Sequence, residues 1–341
     1  MKAHKPSYKL VLFATAFALL VIILGAFTRL SDAGLGCPDW PTCYGFMWMP
    51  DTAEEIIQAE ELYPHAPYEH AKAWPEVVHR YLAGSLGLLI IAILALAIKN
   101  RHLAHQPLKL PIALLVLVIA QGLFGMWTVT LKLWPQVVTG HLIGGFTTAS
   151  LLWLLCLRLS NTPWPQPSVH IREWVKLKPL ALLGLILVSI QIMLGGWVSS
   201  NYAALACPDL PTCQAQWWPE MDFASGFNVF QEVGPNYLGG QMEAASRVAI
   251  HMAHRIGAIV VAAYLIYMLF RIFKVAGNTP MKSLAVLIAH LIVIQICLGL
   301  SNVIFDLPLA VAVSHNAVGA LLLLSLITLN YRLRKSTMGL F

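Results

Sequence analysis

Eight runs of apolar residues, each about as long as a bilayer is thick, divide this chain. A helix needs roughly 20 apolar residues to cross the hydrocarbon core of a membrane. Only 11% of the 341 residues are charged, against about 25% in soluble proteins, so lipid must surround most of the surface. The pattern predicts an all-α integral membrane protein with eight transmembrane helices, at about 10–28, 77–98, 111–131, 137–157, 179–199, 247–270, 283–304 and 309–329.

The positive charges indicate how these helices are oriented. If the N-terminus lies inside, six of the 22 lysines and arginines fall in or beside the outer segments, and the other sixteen fall on the inner side. Because basic residues favour the cytoplasmic side, we expect both termini in the cytoplasm. The net charge of +6 is therefore a signal of topology, and it does not indicate a nucleic-acid partner. The six outer residues are Arg29, Lys72, Arg80, Lys132, Arg247 and Arg255.

Two long outer loops, at about 30–75 and 200–246, reveal an internal repeat. They begin with Cys37-Pro-Asp-Trp-Pro-Thr-Cys43 and Cys207-Pro-Asp-Leu-Pro-Thr-Cys213. Matches at a nearly constant offset are the signature of a repeat. We therefore predict two tandem four-helix bundles, 1–165 and 166–341, which share one orientation because four spans return the chain to its starting side. Further matches, 174 residues apart, join Gln121, Gly125 and His141 to Gln295, Gly299 and His315.

Four of the twelve histidines lie at repeated positions near the outer ends of predicted spans: His79 and His141 in the first half, His254 and His315 in the second. An ionisable residue inside a span is a functional candidate by default, and two facing imidazoles in a helical bundle suit the axial positions of a haem iron. Zinc fits less well, because no third or fourth ligand accompanies either pair. A lone histidine in a span, such as His290, more often makes a hydrogen bond between helices.

One acidic residue breaks the symmetry of the repeat. Glu76 precedes His79 by one helical turn on the same face, whereas the matching place in the second half is His251. A carboxylate there could accept a proton or position water, which favours a catalytic role over a solvated glutamate at a helix start. The second half, which lacks this acid, is typical of a site for a permanently bound electron-transfer haem.

The arginines and cysteines of the outer side have two interpretations each. Arg80 and Arg255 follow the histidines directly and are equally suited to pairing with haem propionates or to snorkelling from a helix end. Cys37 with Cys43, and Cys207 with Cys213, are expected to form structural disulfides in an oxidising compartment. A redox-active disulfide is the alternative in the first loop, which adjoins the proposed reactive site. Cys156 and Cys297 lie in spans and are expected to be packing residues.

These residues together resemble the haem A synthase family, in its cysteine-bearing bacterial form, over essentially the whole chain. The resemblance implies an oxidoreductase of the bacterial inner membrane that converts the C8 methyl group of haem O to a formyl group. It further implies that His254 and His315 bind a haem b cofactor, that His79 and His141 bind the substrate, and that Glu76 is essential for the chemistry. The motifs on which this resemblance rests are Gly25-Ala-Phe-Thr-Arg29-Leu-Ser-Asp-Ala-Gly34-Leu-Gly-Cys37-Pro-Asp-Trp-Pro-Thr-Cys43, Glu76-Val-Val-His79-Arg80, His141, His254-Arg255 and His315.

The expected partners follow from this resemblance: haem O, a haem O-producing farnesyltransferase, membrane lipid and an electron acceptor that takes electrons from the second haem. Two other functions stay open. A di-haem electron carrier of the cytochrome b type would explain the four histidines but not the single Glu76. A transporter with a histidine proton relay would be colourless and would place its polar residues near mid-membrane. We also expect a short amphipathic helix at Thr52 to Tyr63, above the first haem site.

Overall fold

The computed structural model describes residues 7–103, 106–160, 171–277 and 279–336, and these residues form ten helices and no named strand. The predicted boundary between halves, at 165, lies outside the described residues. The helices are α1 (Tyr8–Leu30), α2 (Ala53–Leu62), α3 (His70–Lys99), α4 (Lys109–Thr130), α5 (Pro135–Leu159), α6 (Ile171–Ser200), α7 (Phe223–Gly226), α8 (Ala244–Ala276), α9 (Pro280–Ile304) and α10 (Leu309–Ser336).

Eight of these helices are long and apolar enough to cross a membrane: α1, α3, α4, α5, α6, α8, α9 and α10. Each coincides with one predicted apolar run, so the all-helical, eight-span prediction is confirmed. The helices extend beyond the predicted runs at several ends. The clearest case is α3, which begins at His70 although the apolar run begins at 77.

The long helices pack in two groups of four. In the first group α1 and α4 each contact both α3 and α5, so α3 and α5 lie diagonally across the bundle. In the second group α6 and α9 each contact both α8 and α10, and α8 and α10 are the diagonal pair. Each group has its own apolar core. Between the groups, α1 contacts α10, and α5 contacts both α6 and α10.

The outer loops fold back onto these bundles. In the first loop, α2 is the expected short helix, and it begins with a capping box in which Thr52 and Glu55 bond each other's backbone N–H. The second loop reaches across to the first group. Trp134 Nε1 donates to the carbonyl of Gln231 at 3.1 Å, and Gln136 donates to the carbonyl of Val229 at 3.0 Å.

Candidate haem sites at the outer ends of the bundles

The first histidine pair meets across the first bundle. His79 lies on α3 and His141 on α5, the two diagonal helices, and the centroids of their rings are 6.4 Å apart. The Nδ1 atoms of both rings are buried and have no hydrogen-bond partner. A buried, unpaired ring nitrogen is costly, which indicates a site made for a ligand.

The spacing of these rings fits one metal ion between them. Metal–imidazole bonds are about 2 Å long, so two imidazoles on opposite sides of one ion have centroids roughly 6 Å apart. Among the described residues, no group of three or more histidine, cysteine or acidic side chains could hold a metal ion. A haem iron needs no such group, because its macrocycle supplies the remaining nitrogens. The residues present therefore fit a bis-histidine haem.

The second pair occupies the same kind of position on the other diagonal, with His254 on α8 and His315 on α10. Here glutamine side chains contact both rings. The amide of Gln191 donates to Nδ1 of His254 at 3.0 Å, and the amide nitrogen of Gln295 lies 3.2 Å from Nε2 of His315. In each ring the other nitrogen stays available to a ligand. Such outer contacts fix the orientation of a metal-binding imidazole.

The two sites differ in these contacts. Gln295 has a counterpart in Gln121, but the position that matches Gln191 in the first half is Val21. The second pair is thus held more firmly by its own protein than the first. Gln191 was not among the predicted site residues, because nothing in the sequence indicates a contact with His254, 63 residues away.

Every one of the four rings lies against a glycine on a neighbouring helix. A Cβ atom on that glycine would come within 2.8 to 3.4 Å of the ring. Ordinary van der Waals contact begins at about 3.4 Å, so a side chain at these positions would crowd the ring. The missing side chains are therefore part of each site, because they let the ring lie close to the next helix. The pairs are Gly25 with His79, Gly125 with His141, Gly195 with His254, and Gly299 with His315.

Glu76 lies beside the first pair, but its carboxylate contacts the outer loop. The side chain is buried, with a residue exposure of 4%. One oxygen accepts a hydrogen bond from the backbone N–H of Cys37 at 2.9 Å, and the other forms an ion pair with Arg80. Arg80 in turn donates to the carbonyl oxygens of Asp39 and Thr42, at 3.0 and 2.8 Å. Glu76 and Arg80 therefore hold the loop of Cys37 and Cys43 on the end of α3.

His251 and Arg255 do the same work in the second half. Arg255 Nε donates to Nε2 of His251 at 3.0 Å, which leaves the proton on Nδ1, where it faces the carbonyl of Ala203 at 3.0 Å. Arg255 also donates to the carbonyls of Thr212 and Cys207, at 2.9 and 2.7 Å. Both arginines thus bind loop carbonyls, a role that neither interpretation of the sequence anticipated. Their pairing with propionates stays a prediction.

The expected disulfides are present in both loops. Cys37 is bonded to Cys43, and Cys207 to Cys213. Of the cysteines in the spans, Cys156 is buried in the first core, while Cys297 lies exposed on the surface of α9. The expected role as a packing residue therefore agrees with the position of Cys156 better than with that of Cys297.

Arg29 joins the two bundles near the outer face. Its guanidinium donates to the carbonyl oxygen of Ser199 at 2.5 Å and lies 4.1 Å from the ring centroid of Tyr202. Ser199 is the residue that corresponds to Arg29 in the second half. The repeat makes this difference visible, but nothing in the sequence indicates that the two residues touch.

Comparisons with known proteins agree over nearly the whole chain. The family described as cytochrome oxidase assembly protein (COX15-CtaA) matches residues 8–327. A protein named "Heme A synthase" from Shewanella oneidensis is 48% identical over 92% of this chain and 93% of its own length. Proteins of the same name from Caulobacter vibrioides and Rhizorhabdus wittichii are 27% and 25% identical, each over 95% of this chain and over 94% and 93% of their own lengths.

Proposed function

The chain belongs to the COX15-CtaA family of cytochrome oxidase assembly proteins, and from this premise we propose how its two histidine sites work as a haem A synthase. The family resemblance read from the sequence motifs is confirmed. The reaction is the oxidation of the C8 methyl group of haem O to a formyl group, which yields haem A for terminal oxidases. The enzyme is an oxidoreductase.

The first half is the site of the substrate, held by His79 and His141. The observation that carries this assignment is the asymmetry between the two halves. Glu76 lies one turn from His79, whereas its counterpart His251 carries no carboxylate. The rings of the first pair also lack the glutamine contact that Gln191 makes with His254. A substrate must enter and leave, so a less firmly held pair suits it better.

The second half holds a haem b cofactor between His254 and His315. When bound, this group would supply electron transfer, and His254 and His315 would be the residues that hold it. The glutamine contacts of this pair keep the rings in a fixed orientation. Oxidation of the methyl group also requires an external electron acceptor.

Glu76 acts on protons at the edge of the bound substrate. Oxidation of the methyl group through an alcohol releases protons as well as electrons. The buried carboxylate of Glu76, one turn from His79, is placed to accept a proton. Its ion pair with Arg80 holds the carboxylate in place at the end of α3. Arg80 also binds carbonyl oxygens of the first outer loop, so this loop contacts the partner of Glu76 directly.

The setting of the enzyme completes the proposal. Two parallel four-helix halves lie in the bacterial inner membrane, with both termini in the cytoplasm and both histidine sites toward the periplasmic face. The distribution of basic residues supports this orientation, and the disulfides of both outer loops suit the oxidising side. A farnesyltransferase that makes haem O is the expected supplier of the substrate.

The first experiment is an analysis of the haems extracted from the purified protein, made in a host that supplies haem O. Chromatography and mass spectrometry should find haem B together with haem O, its alcohol or haem A. That mixture requires a substrate site beside a cofactor site. Haem B alone, in spite of available haem O, would instead favour the di-haem electron carrier and would remove the catalytic role of Glu76.

A further inference from the structure

An open cavity of about 420 Å³ lies at the outer ends of α4 and α5. Its volume is within the range of about 300–1,000 Å³ that is usual for sites of small organic ligands. The lining is almost entirely apolar, and the one amide in it, that of Gln136, donates to the carbonyl of Val229 in the second outer loop. The lining residues are Phe124, Trp127, Leu131, Trp134, Gln136 and Val137.

One of the lining residues, Val137, places the edge of the cavity about one helical turn from His141. Val137 lies one helical turn before His141, on the same face of α5. Phe124 precedes Gly125, the glycine against which the ring of His141 packs. The ring of Phe124 also covers Gly140, where an added Cβ would come within 2.7 Å of it. The lining of the cavity thus begins on the same helix as His141 and on the α4 segment that packs against its ring.

The second half does not repeat the aromatic lining. At the matching positions of the second half, 174 residues later, Leu298 corresponds to Phe124, Ser301 to Trp127 and Pro308 to Trp134. One aromatic is gained, where Phe305 stands in place of Leu131. This difference is independent of Glu76 and of the glutamine contacts, and it again distinguishes the first site from the second.

We propose that this cavity binds the isoprenoid chain of haem O, an inference that rests on the proposed function. Haem O and haem B differ by this chain, which is long, branched and apolar. Only a site that must select haem O needs a surface for it. Aromatic side chains bury large apolar areas and make no hydrogen-bond demands on such a chain. The occupant is thus the substrate's own chain and not an acyl chain of the surrounding lipid.

The test compares the binding of two haems to the first site of the full-length protein, whose second site is already filled. Haem O and haem B are titrated in parallel into wild type and Trp127→Ala, and the absorbance is followed. We expect wild type to prefer haem O. The variant should lose affinity for haem O by roughly tenfold or more, the usual effect of removing a large apolar contact, while its affinity for haem B stays the same.

Two further variants make the result specific. Ser301→Ala, at the matching position of the second half, should leave both affinities unchanged. Leu131→Ala removes a different part of the lining and should lower the affinity for haem O in the same direction as Trp127→Ala. The absorbance spectrum of the haem in the second site reports in each case whether the protein is folded.

Either of two results would overturn the inference. If both cavity variants bind haem O as tightly as wild type does, the chain lies elsewhere and lipid is the occupant of the cavity. If both variants lose haem O and haem B equally, Trp127 and Leu131 only support the packing of α4 on α5. A wild-type protein that neither binds nor oxidises haem O would refute the proposed function itself, which is a different outcome.

Discussion

Glu76 and His251 hold equivalent loops by equivalent contacts, although only one of them is an acid. Glu76 accepts from the N–H of Cys37 and pairs with Arg80. His251 accepts from Arg255 and faces the carbonyl of Ala203. Holding the loop therefore does not require a carboxylate. The carboxylate beside the first histidine pair needs a second explanation, and the proposed proton transfer is one.

Glu76→Gln should separate these two roles. The amide keeps an oxygen that can accept from Cys37 N–H, but it has no charge and cannot take up a proton at neutral pH. We expect both haem sites to fill as in wild type, while the yield of haem A falls roughly 100-fold or more, the usual scale of general acid–base catalysis. Extraction and chromatography of the haems measure both quantities.

The matched control for this variant is His251→Gln. It changes the equivalent loop contact in the second half without removing a carboxylate, so the oxidation of haem O should continue. Normal production of haem A by Glu76→Gln would show that the carboxylate has no part in the chemistry. Equal losses of haem A in both variants would reduce Glu76 to a support of the loop.

Gln191 should act on the second haem alone. Gln191→Leu removes the hydrogen bond to the ring of His254, so the ring loses its fixed orientation. Loss of such an outer contact typically costs 10–100-fold in metal affinity, and we expect a decrease of about this size for haem b, measured by haem transfer to an apo-protein acceptor. Val21→Ala, at the matching position of the first half, should leave this affinity unchanged. An unaltered affinity in Gln191→Leu would contradict the assigned role.

At the scale of single residues, the sequence predicted what the repeat makes visible. The four histidines and both cysteine pairs occupy comparable positions in the two halves, so an alignment of the chain with itself finds them, and it finds Glu76 as a mismatch with His251. The partners of Arg80 and Arg255 could not be found in this way, because these loop carbonyls lie about 40 residues away in sequence. They come close only when the loop folds back on the helix. The roles of the histidines and Glu76 stay predictions.

Among the elements, the first outer loop is distinguished by a buried tyrosine. Tyr44 has an exposure of 2% and contacts the rings of Tyr63 and Tyr68 edge-on, at 5.7 and 5.5 Å. Its hydroxyl donates to the carbonyl of Pro67 at 3.2 Å. The matching residue of the second loop is Gln214, so only the first loop contains this titratable group.

Burial raises the pKa of Tyr44 from its ordinary 10.0 to about 12. The unfolded loop releases this proton near pH 10, whereas the folded loop retains it. The contribution of Tyr44 to the stability of the loop is therefore complete below pH 10 and is lost as the pH rises from 10 to about 12. The difference in tyrosinate absorbance between wild type and Tyr44→Phe should have its midpoint near 12. A midpoint near 10 would mean that the loop does not bury this ring.

Helix ends were predicted less well than helix positions, and α3 shows why. A hydropathy window detects the part of a helix that lies in lipid. The first turns of α3, from His70 onward, instead pack on the outer loop, where Ala73 and Val77 join Cys37 and Cys43 in one apolar cluster. The helix therefore continues beyond the apolar run because the loop, and not the membrane, covers its end.

For the molecule as a whole, the number of spans followed from length and hydrophobicity, but the neighbours of each span did not. Apolar faces in lipid look alike in sequence, so nothing in the chain indicated that α3 and α5 lie diagonally across their bundle. The contact of the second outer loop with Trp134 and Gln136 of the first half is likewise a product of tertiary packing.

The orientation of the molecule can be tested with single cysteines. Glu232 is exposed in the second outer loop and His102 is exposed between α3 and α4. In intact cells with a permeable outer membrane, a thiol reagent that cannot cross the inner membrane should label Glu232→Cys and spare His102→Cys. Disruption of the cells should expose both, and the unsubstituted protein serves as the control for native cysteines. The reverse pattern of labelling would invert the proposed topology.

The contact of Arg29 with Ser199 bears on how such a molecule could have arisen by duplication. These residues occupy the same place in their respective halves, and they touch. An ancestral pair of identical subunits, each with an arginine at this place, would have set two guanidinium groups against each other, and like charges at that distance repel. The two halves are therefore not interchangeable at the point where they are joined, since only the first half carries a positive charge there.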